Sequence, residues 1–197
     1  RIVNAGSGHA SVKKLMPACL DFTGGNYDFI TFYGRHAMER NYQRMPIGHG
    51  VSKIGSLRGT SSHQYNPAVI VAEHDATESA GNCYAFAYVY SGGFQSEAGM
   101  DQYSQTRVLM GFSEEQFAYP LEAGDEFQSP EVILTCSSEG LAKLSQNLHC
   151  CMRTHLCRGK YKEMVRPILL NSWEASYFDF TGESLLKLAE QAAELGI

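Results

Sequence analysis

The chain has 197 residues, of which 44% are hydrophobic and 19% charged, a composition typical of a folded globular protein and unlike that of a disordered or collagen-like chain. The 16 Lys and Arg against 21 Asp and Glu give a net charge of −5, which argues against nucleic acid or an anionic membrane as a partner. The longest apolar runs, such as 67–72 and 168–170, are far shorter than the ~20 residues that span a bilayer, so we expect no membrane segment.

The first two thirds of the chain alternate short apolar runs with turn residues. The segments 15–22 and 27–33, separated by Thr23-Gly24-Gly25-Asn26, predict a β-hairpin. Further strands are predicted at 51–57, 67–72, 83–90, 106–110 and 132–136. Many short strands with no long helix between them favour a mainly β fold, a large antiparallel β-sandwich.

The run from Cys83 to Tyr90 carries the clearest strand pattern. Its pleat places four aromatic side chains on one face and small ones on the other, and the aromatic set is Tyr84, Phe86, Tyr88 and Tyr90. Because both faces are apolar, we predict an internal strand whose aromatic face fills a broad core and whose small face lies close to a second layer. An aromatic face can also stack on sugar rings, and that reading stays open at this point.

The hydrophobic period changes after Ser138. Apolar residues then recur at helical spacing, at Leu141, Leu144, Leu148 and Met152. We predict an amphipathic helix of about five turns with Gly159 as its C-cap, followed by a linker to Arg166. The apolar run 167–173 has the length of a strand, and Thr181 can cap a final amphipathic helix, so the end of the chain is predicted to open a parallel α/β unit.

The six cysteines show neither the spacing of a disulfide framework nor the paired Cys-x2-Cys pattern of a structural zinc site. His149, Cys150, Cys151, His155 and Cys157 are zinc-compatible ligand types, but Cys151 shares the apolar side of the predicted helix, where a thiol behaves as a small hydrophobic group. With no Asn-x-Ser/Thr sequence either, we predict reduced thiols, a cytoplasmic location, no metal and no cofactor.

Two stretches carry a family resemblance: RGTSSHQYNP at 58–67 and RPILLNSWEASYFDF at 166–180. Together with YSGGF at 90–94 and THLCRG at 154–159, they resemble the α-galactosidases of glycoside hydrolase family 36 along nearly the whole chain. The resemblance implies an N-terminal β-supersandwich at 1–136, a connecting helix and linker at 137–166, and the first strand and helix of a (β/α)8 barrel at 167–197. It also implies a retaining enzyme that releases terminal α-galactose from sugars such as melibiose or raffinose.

Only 31 residues follow Arg166, whereas a complete (β/α)8 barrel takes about 250. The chain does not begin with Met and is expected to be an excised piece of a longer protein. Members of the family carry both catalytic aspartates on later barrel strands, and their Lys-x-Asp nucleophile segment has no counterpart in this chain. The resemblance therefore implies no catalytic residue here, and the piece alone is expected to be inactive and to self-associate through apolar faces that the rest of the barrel would cover.

The resemblance places Trp173 at the carboxyl end of the first barrel strand, where the matching family Trp walls the galactose pocket. Glu174 and Tyr177, in the loop that follows, are further candidates for substrate binding, although that loop could equally serve a subunit contact. The expected partners are an α-galactoside, the remainder of the barrel and further copies of the chain. The alternative is a non-catalytic β-sandwich for interaction, oligomerisation or carbohydrate binding.

A polar cluster next to Pro67 places Ser62 beside His63, a pair that invites comparison with nucleophilic catalysis. Adjacent residues on a strand do not supply a base within reach of a nucleophile, nor an oxyanion site. The prediction for this cluster is therefore a tight turn that fixes the junction between sandwich and barrel.

Overall fold

The computed structural model describes residues 1–196. The strands are β1 (Ile2–Val3), β2 (Ala10–Val12), β3 (Ala18–Phe22), β4 (Tyr27–Arg35), β5 (Met38–Pro46), β6 (Gly50–Ser56), β7 (Tyr65–Glu73), β8 (Cys83–Tyr88), β9 (Phe94–Met100), β10 (Thr106–Phe112), β11 (Tyr119–Leu121), β12 (Glu126–Phe127) and β13 (Val132–Ser137). The helices are α1 (Gly140–Cys151), α2 (Trp173–Ser176) and α3 (Gly182–Glu194), with a 3₁₀ turn at Glu114–Gln116 and a π-helical turn at Met152–Leu156.

Two antiparallel sheets form the body of the fold. The larger has the strand order β13-β8-β7-β4-β5 and the smaller the order β3-β10-β9-β6. Two short ribbons, β1-β12 and β11-β2, complete the strand pairing. The mainly β, antiparallel fold class expected from the sequence is confirmed.

The main core lies between the inner faces of the two sheets. Phe29, Val69 and Phe86 from the larger sheet pack in one cluster with Val108 and Phe94 from the smaller. Every one of these side chains is at most 1% exposed. The sandwich is therefore held by a dry apolar layer that strands of both sheets build together.

Strand β8 behaves as its alternation predicts. It lies inside the larger sheet between β13 and β7, and Phe86 and Tyr88 on its aromatic face belong to the inter-sheet core. Its small face, with Cys83 and Ala85, packs in a second cluster with Leu144 of α1. Phe86 and Tyr88 are thus core and are not a sugar platform, because they are 1% and 4% exposed, whereas Tyr90, beyond the end of the strand, is 39% exposed.

The predicted hairpin of 15–22 and 27–33 is wrong. Strand β3 pairs with β10 in the smaller sheet, whereas β4 pairs with β5 and β7 in the larger one. Residues 23–26 carry the chain from one sheet to the other, and the rings of Phe22 and Tyr27 meet across the sandwich at 5.4 Å. Both rings are partly buried against the inter-sheet core, and the pairing of each strand within its own sheet prevails over the local turn signal.

The chain divides into two compact units, one comprising Arg1–Cys150 and the other beginning at Cys151. In the second unit, residues 167–172 have no regular secondary structure, so the strand expected there is not formed. A strand needs a hydrogen-bonded neighbour, and no strand of residues 1–196 pairs with this segment.

The helical region that starts at Gly140 ends with the π-helical turn at Leu156, and Cys157 is extended with ψ 132°. Gly159 is therefore not its C-cap; it adopts φ +73° in the next turn, where its carbonyl accepts from the amide of Lys162. The final helix is confirmed, because Thr181 caps α3 by accepting from the Ser184 amide while the Ser184 hydroxyl accepts from the Thr181 amide. Within residues 1–196, no helix combines the length and apolar character needed to cross a membrane.

Candidate functional site

The candidate site is an aromatic corner in the second unit, formed by Trp173, Glu174, Tyr177 and Phe178. The single turn of α2 builds it: the Asn171 side-chain oxygen accepts from the Trp173 amide at 2.8 Å, and the Tyr177 amide donates to the Trp173 carbonyl at 2.8 Å. Because residues four apart are neighbours on a helical turn, Trp173 and Tyr177 lie on one side of α2.

The corner is held by ring contacts. The Trp173 ring meets the Tyr177 ring edge-on with centroids 5.4 Å apart, and it meets the Phe178 ring at 4.9 Å with an interplanar angle of 89°. The Tyr177 hydroxyl donates to Glu174 Oε2 at 3.4 Å. The three residues expected from the resemblance therefore lie together.

All of these side chains are open to solvent. Trp173 is 44% exposed, Tyr177 55% and Phe178 86%. An indole this exposed next to a carboxylate and a phenol combines an apolar face with hydrogen-bonding groups, as small-molecule sites do.

Tyr177 has an uncommon backbone, with φ +47° and ψ −117°. Non-glycine residues rarely adopt positive φ, and such positions concentrate at functional sites. This conformation ends α2, and the Phe178 ring that comes next packs against the Trp173 ring.

Phe178 was not among the predicted site residues. Its signal in the sequence is the aromatic spacing itself, since Trp173, Tyr177, Phe178 and Phe180 crowd into eight residues. Which of them meet depends on the positive φ at Tyr177, which the sequence pattern does not reveal.

Asp28 is the one buried carboxylate of residues 1–196, at 2% exposure. It is fully engaged in the first unit: Arg44 Nε donates to its Oδ2 at 2.5 Å, and His74 Nδ1 lies 2.8 Å from its Oδ1. Retaining glycosidases place two carboxyl groups about 5 Å apart across the scissile bond. A carboxylate bound by both Arg44 and His74 acts as a structural anchor.

The polar cluster at 58–66 forms a turn. The Ser62 hydroxyl accepts from the Gln64 amide at 3.2 Å, and Ser62 forms a bridge with Tyr65. The Ser56 hydroxyl donates to the Thr60 carbonyl at 2.6 Å, which folds the preceding loop back on itself. These bonds describe a fixed tight turn.

Across residues 1–196, no three His, Cys, Asp or Glu side chains gather closely enough to hold a metal ion. Cys83 is buried beneath α1, and burial raises the pKa of its thiol. A raised pKa keeps that thiol protonated and unreactive near neutral pH.

Fold and corner together define a two-sheet antiparallel domain and a second unit that contains helices. Residues 1–122 match the family model described as the glycosyl hydrolase family 36 N-terminal domain, and residues 126–197 match the model described as Melibiase. The chain belongs to glycosyl hydrolase family 36.

Named relatives cover the whole chain. It is 58% identical over 197 residues to the bifunctional alpha-galactosidase/sucrose kinase AgaSK of Mediterraneibacter gnavus and 40% identical to the alpha-galactosidase AgaA of Geobacillus stearothermophilus. In each comparison all of this chain is matched, but only 21% and 27% of the relative, so the chain spans about a quarter of the length of these proteins.

Solved structures agree in fold. The galactosidase domain of AgaSK superposes with a TM-score of 0.94 at 57% identity, covering 99% of this chain and 27% of that one. AgaA from Geobacillus stearothermophilus in complex with stachyose superposes with a TM-score of 0.95 at 39% identity, covering 99% and 27%. A further AgaA structure is a complex with raffinose.

Proposed function

We propose that this chain is part of a retaining α-galactosidase that releases terminal α-galactose from oligosaccharides such as melibiose, raffinose and stachyose. The observation that carries the proposal is the match of all 197 residues to α-galactosidases at 40–58% identity. AgaA complexes with stachyose and raffinose support this substrate class.

Within that enzyme, the chain supplies the sandwich scaffold and one wall of the sugar pocket. We assign the nucleophile and the general acid to parts of the enzyme outside these 197 residues, since the family resemblance places both aspartates on later barrel strands and the chain has no Lys-x-Asp segment. Trp173 presents its ring to the galactose, while Tyr177 and Glu174 contribute hydrogen bonds. The domain organisation proposed is a sandwich at 1–136, a connecting helix and linker at 137–166, and the start of a catalytic barrel at 167–197.

A chimera with AgaA tests the function. The matching quarter of AgaA is replaced by this chain, and raffinose hydrolysis is measured; the 197-residue chain alone should not cleave a chromogenic α-galactoside.

In the active chimera, Trp173→Ala should lower kcat/KM by about tenfold or more, because losing a ring contact worth about 1.4 kcal/mol is a tenfold effect. Trp173→Phe should retain part of the activity, and Tyr103→Ala, which changes a 76% exposed tyrosine of the sandwich, should retain all of it.

Two results would reject the proposal: a folded chimera that binds but never cleaves α-galactosides, or Trp173→Ala with unchanged kcat/KM. Turnover by the isolated chain that disappears when one of its own carboxylates is changed would move the catalytic acids into these residues.

We also propose a homo-oligomer and a cytoplasmic location. In the second unit Val165, Leu169 and Phe178 are 94%, 88% and 86% exposed, and apolar surface of this kind favours association. The cytoplasmic proposal rests on cysteines without framework spacing and on the lack of an Asn-x-Ser/Thr sequence. Sedimentation over a concentration series tests the first, and fractionation of the native host tests the second.

A further inference from the structure

The indole of Trp173 needs support from outside its own helix. Trp173 is the first residue of α2, a helix of four residues in which no side chain is buried. Helices this short are unstable in water without packing partners, so α2 alone does not hold a side chain in place. The orientation of the indole therefore depends on its local contacts.

Hydrogen bonds fix the backbone of α2. The Asn171 side-chain oxygen accepts from the Trp173 amide at 2.8 Å, and the Ser172 carbonyl accepts from the amides of Ala175 and Ser176 at 3.1 and 3.0 Å. None of these bonds involves the indole. An exposed side chain on a fixed backbone still changes rotamer within picoseconds to nanoseconds, and Trp173 is 44% exposed. A single orientation of the indole is therefore held by other side chains.

Two rings make contact with the indole. Within residues 151–196, they are those of Tyr177 and Phe178, with centroids 5.4 and 4.9 Å away and interplanar angles of 77° and 89°. Edge-to-face pairs at such distances favour the paired arrangement about two- to twelvefold over an unpaired one. The Phe178 ring is the nearer of the two and the closer to perpendicular.

The backbone is strained at the step that brings Phe178 to the indole. Tyr177 adopts φ +47° and ψ −117°, outside the conformations that non-glycine residues favour. Strain of this kind persists where the surrounding structure enforces it, and it clusters at functional sites. Burial does not account for it here, because Phe178 remains 86% exposed. What the strained step achieves is the contact between the Phe178 ring and the Trp173 ring.

We propose that Phe178 is a positioning residue, which holds the Trp173 indole in one orientation for the galactose ring. The inference rests on the proposed function, in which Trp173 presents its ring to the sugar. Phe178 acts through Trp173 and not through a contact of its own with the substrate. A pocket wall that is already ordered loses less conformational entropy when the sugar binds, so the expected benefit is tighter binding.

The first test reads the indole directly, because Trp173 is the single tryptophan of the chain. Time-resolved fluorescence anisotropy of the 197-residue protein measures how freely the indole moves on the nanosecond timescale. Phe178→Ala should increase the amplitude of the fast depolarisation at least about twofold, while the far-ultraviolet circular dichroism stays unchanged. An unchanged amplitude overturns the proposal.

Two matched variants serve as controls. Phe178→Tyr keeps an aromatic ring at the same position and should retain the anisotropy of the wild type. Phe180→Ala removes another exposed phenylalanine, at 51% exposure, whose ring is not one of the two that meet the indole, and it should leave the anisotropy unchanged. If Phe180→Ala frees the indole as much as Phe178→Ala does, the effect belongs to the whole segment and the positioning role is wrong.

The second test measures raffinose hydrolysis in the active chimera with AgaA. Phe178→Ala should raise KM about two- to tenfold and change kcat by less than about twofold, because a mobile indole weakens the binding of substrate and transition state alike. In a chimera that already carries Trp173→Ala, Phe178→Ala should change KM no further. Phe178→Tyr should retain the KM of the wild-type chimera.

The outcomes separate this inference from the proposed function. If Trp173→Ala lowers kcat/KM and Phe178→Ala does not, the positioning role is wrong while the galactosidase function stands. If Phe178→Ala raises KM equally with and without the Trp173 ring, Phe178 contacts the sugar itself and the positioning role is again wrong. A chimera that never cleaves raffinose rejects the proposed function, and the anisotropy of the 197-residue protein still decides whether Phe178 holds the indole.

Discussion

Arg44 on β5 closes over Asp28 on β4, with Nε donating to the carboxylate at 2.5 Å. The same guanidinium donates to the carbonyls of Glu73, His74 and Ala76, at 2.8–2.9 Å. Partial burial lowers the pKa of Arg44, but the hydrogen bond and charge of Asp28 outweigh this and raise it above its ordinary value. One side chain thus ties strands β4 and β5 to the turn that follows β7.

Arg44→Met should destabilise the sandwich by about 3 kcal/mol, because it leaves the Asp28 charge buried with only His74 beside it. Urea unfolding followed by circular dichroism measures the change. Arg44→Lys keeps the positive charge but not the planar guanidinium fork, so its unfolding midpoint should lie between those of the wild type and Arg44→Met. The double variant with Asp28→Asn should recover part of the loss, and an unchanged midpoint for Arg44→Met would contradict the anchoring role.

Gly140→Ala should cost about 2–4 kcal/mol, since Gly140 has φ +80° and a Cβ there would lie 2.5 Å from the Ala80 nitrogen. The contact matters because Thr77, Glu78 and Gly81 offer carbonyls to the first amides of α1. Gly124→Ala is the matched control: φ is +87° but no atom lies within 4 Å of the added Cβ, so only the strain of about 1 kcal/mol is expected. Equal losses in the two variants would show that the close approach is irrelevant.

Strand β8 could be predicted because its period of two carries apolar residues on both faces. Strand β5 could not, because its polar sequence, with Glu39, Arg40 and Arg44, reads as a loop until Asp28 is seen to pair with it. The hairpin assigned to β3 and β4 failed because the turn signal between them is local. The sheet that β3 joins is decided by its pairing with β10, more than 80 residues away along the chain, since Phe22 pairs with Thr106.

The candidate site shows the same division. Trp173 and Tyr177 are four residues apart, so a single helical turn suffices to bring them together. The contact of the Phe178 ring with the Trp173 ring depends instead on the positive φ of Tyr177, which no sequence spacing reveals.

Thr181→Ala should destabilise α3 by about 1 kcal/mol, because it removes the side-chain oxygen that accepts from the Ser184 amide at 3.2 Å. Hydrogen exchange should become faster at residues 182–185 and stay unchanged in β8. Thr181→Ser retains the hydroxyl and should restore protection, and identical exchange in Thr181→Ala and the wild type would show that the cap is unimportant.

Glu73 links acid stability to the turn after β7. Its carboxylate accepts from the Asn82 side chain at 2.8 Å and from the Asn82 amide at 2.9 Å, and these bonds hold its pKa below the ordinary value of 4.5. A carboxyl whose pKa is lowered in the folded state stabilises the fold at pH values above its unfolded pKa, and this contribution is lost as the pH falls through the folded pKa.

Glu73→Gln should therefore flatten the loss of stability between about pH 5 and pH 3, measured by urea unfolding at several pH values. Asn82→Ala should flatten it in the same way, and adding Glu73→Gln to Asn82→Ala should change the slope no further; a double variant whose slope drops again would assign the acid response to other partners of Glu73.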